Sequence, residues 1–279
     1  MASTDIKQLE RYFAALRRFP KRKRGLCIGD SWFQYPLRSY PDLQRRIASP
    51  NEFGSRINFV DDSYPGRDAD EVQGLIKRWM RVAWTMREDF KPFDLFLLSL
   101  GGNDVVGLDF IRHLSSGTGH DSGHWPWSDT TPAIVRRWIK LSDLRRTFDG
   151  IVYAYGLIIA MRDELAPQAT IITHTYADVT PMNVGYQFLT FRSGPWIWKP
   201  ASDKGIAPAE QKEIVRWLLA SFCNMLLAVK KNTTRFVVLD SRLDLPDPVE
   251  WDNEIHPRGT GFRSLVERHW RPAIEAAIA

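Results

Sequence analysis

Four residues that are far apart in the sequence have side chains or N–H groups suited to carbonyl chemistry: Ser31, Gly66, Asn103 and His256. A serine hydroxyl becomes an effective nucleophile when a neighbouring base removes its proton, and imidazole has a suitable pKa for that task. The oxyanion that forms next needs fixed hydrogen-bond donors. The N–H groups of Ser31 and Gly66 and the amide of Asn103 can supply them. Together, the four residues predict nucleophilic attack on a carbonyl carbon.

Ser31 follows a short apolar run, residues 26–28, through the tripeptide Gly29-Asp30-Ser31. Gly29 can adopt backbone angles that are closed to other residues, so a sharp turn out of the strand is expected here. A serine at the carboxyl end of a first parallel strand stands where open α/β sheets bind ligands. The alternative is that Asp-Ser is an ordinary turn or helix cap. Whether this motif is functional therefore depends on which residues follow the later strands.

Five apolar segments predict β-strands: 26–30, 57–61, 95–100, 169–175 and 236–239. The third is almost continuously apolar, which is typical of a central parallel strand covered on both faces. Helical patterns are predicted at 5–18, 43–47, 68–89, 133–165 with a break near Asp149-Gly150, 208–230, and from 261 onward. This alternation predicts one doubly wound α/β sheet with right-handed crossovers.

A single domain, 1–279, is expected, because the sequence has no internal repeat and no second core pattern. A basic segment with a short helix, about 5–24, precedes the first strand. Residues 116–130 predict a long surface loop. Residues 178–208 have little periodicity and predict an ordered insertion above the sheet, which would be either a lid or a subunit contact.

The composition, 44% hydrophobic and 25% charged, is that of an ordinary globular protein. No apolar run approaches the ~18 residues of a membrane span, and a secretory signal core is lacking, so we expect a cytoplasmic location. Cys27 and Cys223 predict buried thiols. The net charge of +5 comes largely from Arg17, Arg18 and residues 21–24. Such a run can bind anions weakly, but a solvated edge is the better explanation, and nucleic acid is not the expected partner.

The motifs Gly29-Asp30-Ser31, Gly66, 101–104 (Gly-Gly-Asn-Asp) and His256-Pro257 resemble those of the SGNH hydrolases, also called the GDSL esterase/lipase family. The resemblance covers nearly the whole chain. It implies a flavodoxin-like three-layer α/β/α sandwich, with a five-stranded parallel sheet in the order 2-1-3-4-5. It also implies that Ser31 is the nucleophile, that His256 is the general base, and that Ser31, Gly66 and Asn103 form the oxyanion hole.

One position departs from the family pattern. An aspartate usually stands three residues before the histidine, and here that residue is Asn253, between Asp252 and Glu254. Asn253 can orient the imidazole through a hydrogen bond. Asp252 can reach the same place after a small change in the turn, or a backbone carbonyl can hold His256. We favour Asn253 with Asp252 as the alternative, and expect modest catalysis, because a neutral group stabilises imidazolium less than a carboxylate does.

Candidate substrate-binding residues are aromatic or polar groups near the same edge of the sheet: Trp32, His174, Tyr176 and Trp196. Packing is an equally good explanation for His174 and Tyr176. The chain has 11 tryptophans. Those in the predicted loops, at 125, 127, 196, 198 and 251, can either contact substrate or anchor the loops. His120 and His124 lack an obvious third ligand, so no metal site is predicted.

The sequence therefore predicts a serine hydrolase that cleaves an ester of a small molecule through an acyl-enzyme intermediate and needs no cofactor. A short acyl or acetyl ester, carried by a carbohydrate for example, is the first expectation for the substrate. A phospholipid or a thioester is the second. A non-catalytic module that binds a ligand or nucleic acid is the alternative from another functional class. The oligomeric state is not predicted.

Overall fold

The computed structural model describes residues 3–35, 41–86, 90–106, 110–118, 123–188 and 191–279. Its strands are β1 (Lys23–Gly29), β2 (Ile57–Ser63), β3 (Leu95–Ser99), β4 (Thr170–His174), β5 (Tyr186–Phe188), β6 (Phe191–Ser193) and β7 (Phe236–Leu239). Five of them form a parallel sheet in the order β2-β1-β3-β4-β7, while β5 and β6 form an antiparallel hairpin. The predicted order 2-1-3-4-5 is confirmed, with β7 as the fifth predicted strand.

The helices are α1 (Ser3–Arg18), α2 (Leu43–Ile47), α3 (Val72–Thr85), α4 (Gly102–Val106), α5 (Phe110–His113), α6 (Ala133–Trp138), α7 (Leu141–Leu165), α8 (Trp198–Asp203), α9 (Pro208–Lys231), α10 (Gly259–Leu265) and α11 (Arg271–Ile278). A π-helical turn, Val266–Trp270, joins α10 to α11. Short 3-10 turns lie at Ala69–Glu71 and Pro248–Glu250.

Helices cover both faces of the sheet, as the side chains of β4 show. Successive residues of a strand point to opposite faces. Thr173 meets the Tyr155 hydroxyl of α7 at 2.8 Å, whereas the ring of His174 lies 5.5 Å from the ring of Trp270 in the C-terminal helices. The three-layer α/β/α arrangement is therefore confirmed. The apolar side chains of β3 are fully buried between the layers.

The strand register brings three loops together at one edge. Gly29 at the end of β1 pairs with Ser63 at the end of β2 and with Ser99 at the end of β3. Because these strands are parallel, the segments that follow them emerge side by side. Ser31, Gly66 and Asn103 lie on these three segments.

The predicted helix over 133–165 is present, but the predicted break near Asp149-Gly150 is wrong. The interruption lies at Ile139, which is extended and forms a β-bridge with Leu114. Helix α7 continues through Gly150, which is exposed with no atom near its missing Cβ. An exposed helical glycine costs about 1 kcal/mol, which a 25-residue packed helix tolerates.

The insertion at 178–208 is more structured than its weak periodicity indicated, since it contains the β5–β6 hairpin and α8. Other elements agree with the predictions to within a few residues, and 87–89 of the predicted helix at 68–89 lie outside the described residues. In the described part of the chain, no helix is long and apolar enough to cross a membrane.

Candidate active site

Ser31 lies in a tight turn directly after β1. The N–H of Asp30 still follows the sheet and donates to Ser99 O at 2.9 Å, and the carbonyl of Asp30 then accepts from the N–H groups of Phe33 and Gln34. Gly29 does not use a left-handed backbone here, contrary to our expectation. Its role is close packing, since a Cβ would lie 2.9 Å from the ring of Phe33.

The carboxylate of Asp30 is buried behind the turn that contains Ser31. It accepts from the Tyr176 hydroxyl at 2.6 Å, the Ser99 hydroxyl at 2.9 Å and the N–H of Trp32 at 3.0 Å. Burial raises the pKa of Asp30 to about 6, against the opposing effect of these hydrogen bonds. The network fixes the turn that presents Ser31.

His256 reaches Ser31 from the other end of the chain. Its Nε2 lies 2.8 Å from Ser31 Oγ, and its Nδ1 lies 2.9 Å from Asn253 Oδ1. Because Asn253 Oδ1 can only accept, Nδ1 carries the proton and Nε2 is left to accept from the serine hydroxyl. Burial lowers the pKa of His256 to about 3, which favours the neutral form that a general base requires.

Asn253, and not Asp252, is the side chain that hydrogen-bonds His256 Nδ1. Its Oδ1 also accepts from the N–H groups of Ile255 at 3.2 Å and His256 at 3.1 Å. The carboxylate of Asp252 instead accepts from the hydroxyl of Tyr35 at 2.5 Å. The geometry therefore agrees with the favoured arrangement, and it adds Tyr35, which the sequence analysis did not single out.

The three oxyanion-hole candidates lie on the segments that follow β1, β2 and β3. Asn103 and Ser31 line the same cavity, and Asn103 Nδ2 donates to the carbonyl of Arg67 at 3.1 Å, which ties it to the turn that contains Gly66. Gly66 has φ +79°, and a Cβ there would meet open space. Among the described residues, the N–H groups of Ser31 and Gly66 donate to no protein acceptor.

The cavity beside Ser31 is small, about 20 Å3, which is room for roughly one water molecule. Its apolar wall consists of side chains from four separate elements: Val106, Ala177, Val179, Leu219 and Ile255. Trp32 lines it as well, and its indole Nε1 donates to Ile255 O at 3.0 Å. Trp32 thus joins the serine turn to the histidine loop.

Of two residues proposed above as substrate contacts, His174 lies behind the site and Tyr176 borders the cavity. His174 is 1% exposed and hydrogen-bonds Ser99 Oγ at 2.9 Å. Burial, with a smaller contribution from His269, lowers the pKa of His174 to about 3. Tyr176 is buried, borders the cavity, and holds both Asp30 and the N–H of Gly102. Packing and hydrogen bonding account for His174, whereas contact of Tyr176 with substrate stays a prediction.

Trp196 lies at the histidine, with its ring 5.6 Å from that of His256 in an edge-to-face arrangement. It is held there by Glu254, a residue that the sequence analysis did not select. The fully buried Glu254 carboxylate accepts from the N–H groups of Trp196 at 2.6 Å, Ile197 at 2.8 Å and Trp198 at 2.6 Å. Burial raises the pKa of Glu254, and these bonds oppose that rise.

Two of the other loop tryptophans anchor loops. Trp125 is buried against Trp217 and donates to Ser221 Oγ at 3.0 Å, and Trp251 is buried and donates to Leu245 O. The two cysteines are buried and free, as predicted.

The structure describes only one histidine of the pair His120 and His124. His124 is exposed, and His120 lies outside the described residues. Across the described ranges, no group of three His, Cys, Asp or Glu side chains is placed to hold a metal ion.

No protein-family model and no curated protein sequence matches the chain. Solved structures do. A GDSL-like lipase from Bacteroides ovatus superposes with a TM-score of 0.51 at 12% identity, over 93% of this chain and 54% of the other, so this chain spans about half its length. An extracellular lipase from Streptomyces rimosus gives 0.51 at 14% identity, over 92% and 100% of the two chains. The chain thus has the fold of the GDSL-like lipases.

Proposed function

We propose that this protein is a serine esterase of the SGNH type, which hydrolyses short acyl esters through an acyl-enzyme intermediate. The observation that carries the proposal is the contact of Ser31 Oγ with His256 Nε2 at 2.8 Å, continued from His256 Nδ1 to Asn253. Two structures with the same fold are described as lipases, which supports ester cleavage.

In the first half of the reaction, Ser31 Oγ attacks the ester carbonyl while His256 Nε2 takes the hydroxyl proton. The oxyanion accepts from the N–H groups of Ser31 and Gly66 and from the amide of Asn103. His256 then gives its proton to the departing alcohol. In the second half, His256 activates water, which releases the acid and restores Ser31.

The size of the cavity favours a small acyl group. A space of about 20 Å3 with an apolar wall suits an acetyl methyl group better than a long chain. Trp196 beside His256 provides an aromatic surface on which the alcohol portion, for example a sugar ring, can stack. An acetyl ester on a carbohydrate is therefore the substrate class that we favour over a phospholipid or a thioester.

A purely ligand-binding role has less support. Two residues of the basic N-terminal segment make contacts within the fold: Arg22 donates to Gly54 O at 3.0 Å, and Arg24 pairs with Asp94 at 2.8 Å. This segment also leads into the amino end of β1, whereas Ser31 follows the carboxyl end.

The test is hydrolysis of p-nitrophenyl acetate, butyrate and octanoate by the wild type and by Ser31→Ala. We expect activity to fall steeply with chain length and to be lost in the variant. Absence of turnover in folded wild-type protein, or turnover that survives the substitution, would overturn the proposal. Salt should change the rate little, whereas binding of an anionic partner through the basic segment would weaken steeply with salt.

A further inference from the structure

The hydrogen bonds at the candidate site do not stop at Asn253. Its Nδ2 donates to the hydroxyl of Tyr35 at 3.0 Å, and that hydroxyl donates to Asp252 Oδ2 at 2.5 Å. Tyr35 is 1% exposed, and its ring centroid lies 4.8 Å from that of His256. The series of hydrogen bonds that starts at Ser31 and His256 therefore runs through Asn253 and Tyr35 and ends on the carboxylate of Asp252.

The neighbouring groups determine which atom donates and which accepts in each hydrogen bond of this series. Two backbone N–H groups, of Ile255 and His256, require the acceptor oxygen of Asn253 to face the histidine. Its NH2 group then faces Tyr35, whose oxygen accepts while its own proton goes to Asp252. Each donor points toward the carboxylate, and hydrogen bonds aligned in this way polarise one another.

The position of Tyr35 is itself fixed. Its backbone N–H donates at 3.0 Å to the buried carboxylate of Asp42, which also caps α2 by accepting from Arg45 N. Tyr35 is thus held at two points, by its backbone N–H on Asp42 and by its hydroxyl on Asp252.

We infer that Asp252 and Tyr35 are positioning residues that make Asn253 a stronger hydrogen-bond acceptor for His256. Through this relay of hydrogen bonds, the carboxylate of Asp252 partly replaces a carboxylate in direct contact with His256. This inference rests on the proposed function, because the imidazolium it stabilises forms during ester cleavage. No proton moves along the relay. The negative charge of Asp252 makes the Tyr35 hydroxyl oxygen a stronger acceptor, which polarises the N–H bond of Asn253 and shifts electron density within the amide from nitrogen to Oδ1.

The discriminating variant is Asp252→Asn, because its side-chain oxygen can still accept from Tyr35 while the charge is gone. Tyr35→Phe removes the link itself. Matched controls are Asp247→Asn, which makes the same change at an exposed residue that caps a 3-10 turn, and Tyr12→Phe, which removes a buried hydroxyl that has no described partner.

We expect Asp252→Asn and Tyr35→Phe each to lower kcat for p-nitrophenyl acetate about tenfold with KM little changed. The double variant should be no worse than the poorer single one, since both break one relay. In protein labelled with 15N-histidine, the Nδ1–H proton resonance of His256 should move upfield in both variants and stay in place in both controls. If Asp252→Asn matches Asp247→Asn in kcat and in this resonance, the inference is overturned.

The effect of Asp252→Asn on kcat should disappear when residue 253 is itself a carboxylate. Asn253→Asp puts a carboxylate directly on His256 and beside Asp252, where the two like charges repel. In that background Asp252→Asn should no longer lower kcat, and a tenfold loss there would contradict the relay. The NMR readout needs no turnover: if no ester is hydrolysed but the resonance still shifts, the proposed function fails and the relay stands.

Discussion

The carboxylate of Glu254 accepts a hydrogen bond from the backbone N–H of Trp196 at 2.6 Å, and this contact joins the histidine loop to the insertion at 178–208. Glu254 is adjacent to Asn253 and two residues from His256, so the loop that carries His256 also holds the ring of Trp196 beside it. The insertion is thereby fixed next to the site at this point.

Replacing Glu254 by Gln should destabilise the protein by about 2–3 kcal/mol, because an NH2 group would face backbone N–H groups that need an acceptor. Trp196 should then leave His256, and hydrogen exchange of the amides at 196–198 should accelerate. Chemical unfolding and peptide-resolved exchange measure the two effects. Glu213→Gln, at an exposed position of α9, is the control and should change neither.

Replacing Asn103 by Ala should lower kcat by roughly 10²–10³-fold if its amide stabilises the oxyanion. Asn58→Ala is a matched control, since Asn58 Nδ2 also donates to a backbone carbonyl, that of Phe19 at 3.2 Å, but at the start of β2. Both variants should lose some stability, and only Asn103→Ala should lose kcat. Equal kcat in the two would remove Asn103 from the oxyanion hole.

Gly66→Ala tests the second oxyanion donor without a steric clash. Gly66 and Gly205 have φ values of +79° and +76°, and neither has an atom within 4 Å of an added Cβ. Alanine should cost about 1–2 kcal/mol of stability at both positions through backbone strain alone. Only Gly66→Ala should also reduce kcat, because an alanine that relaxes away from φ +79° turns the N–H of residue 66 away from the oxyanion. Equal kcat in the two variants would contradict this prediction.

His174 should make the protein less stable in acid. Its folded-state pKa of about 3 lies below the ordinary 6.5, so the unfolded state binds more protons as the pH falls below 6.5, and stability is lost there. His174→Gln removes this penalty. Its free energy of unfolding relative to wild type should therefore rise by about 2 kcal/mol between pH 7 and pH 5. A difference that does not change with pH in urea titrations would show that His174 is not buried in its neutral form.

The sheet was the most predictable part of the molecule. Its five strands are short apolar runs bounded by Gly, Pro and polar residues, and burial between two helical layers requires that pattern. The strand order came from the resemblance carried by a few motif residues. The position of the break in 133–165 could not be found in this way, because it depends on a bridge between Ile139 and Leu114 and not on the glycine in the helix.

Within the site, the pairing of Ser31 with His256 follows from residue types and strand ends, and the structure brings these two side chains together. Tyr35 and Glu254 could not be singled out. Tyr35 acts on a residue 217 positions away, and Glu254 is one of two acidic residues flanking Asn253. Their roles appear only when burial shows which oxygen faces which donor.

The most direct test of the central claim is labelling with a fluorophosphonate, followed by peptide mass spectrometry, on the wild type, Ser31→Ala and Ser241→Ala. Ser241 is a buried serine just past the end of β7 at the same edge of the sheet, which makes it a matched control. The account predicts one adduct, on Ser31, in the wild type and in Ser241→Ala, and none in Ser31→Ala. An adduct on another residue, or none in folded wild-type protein, would contradict it.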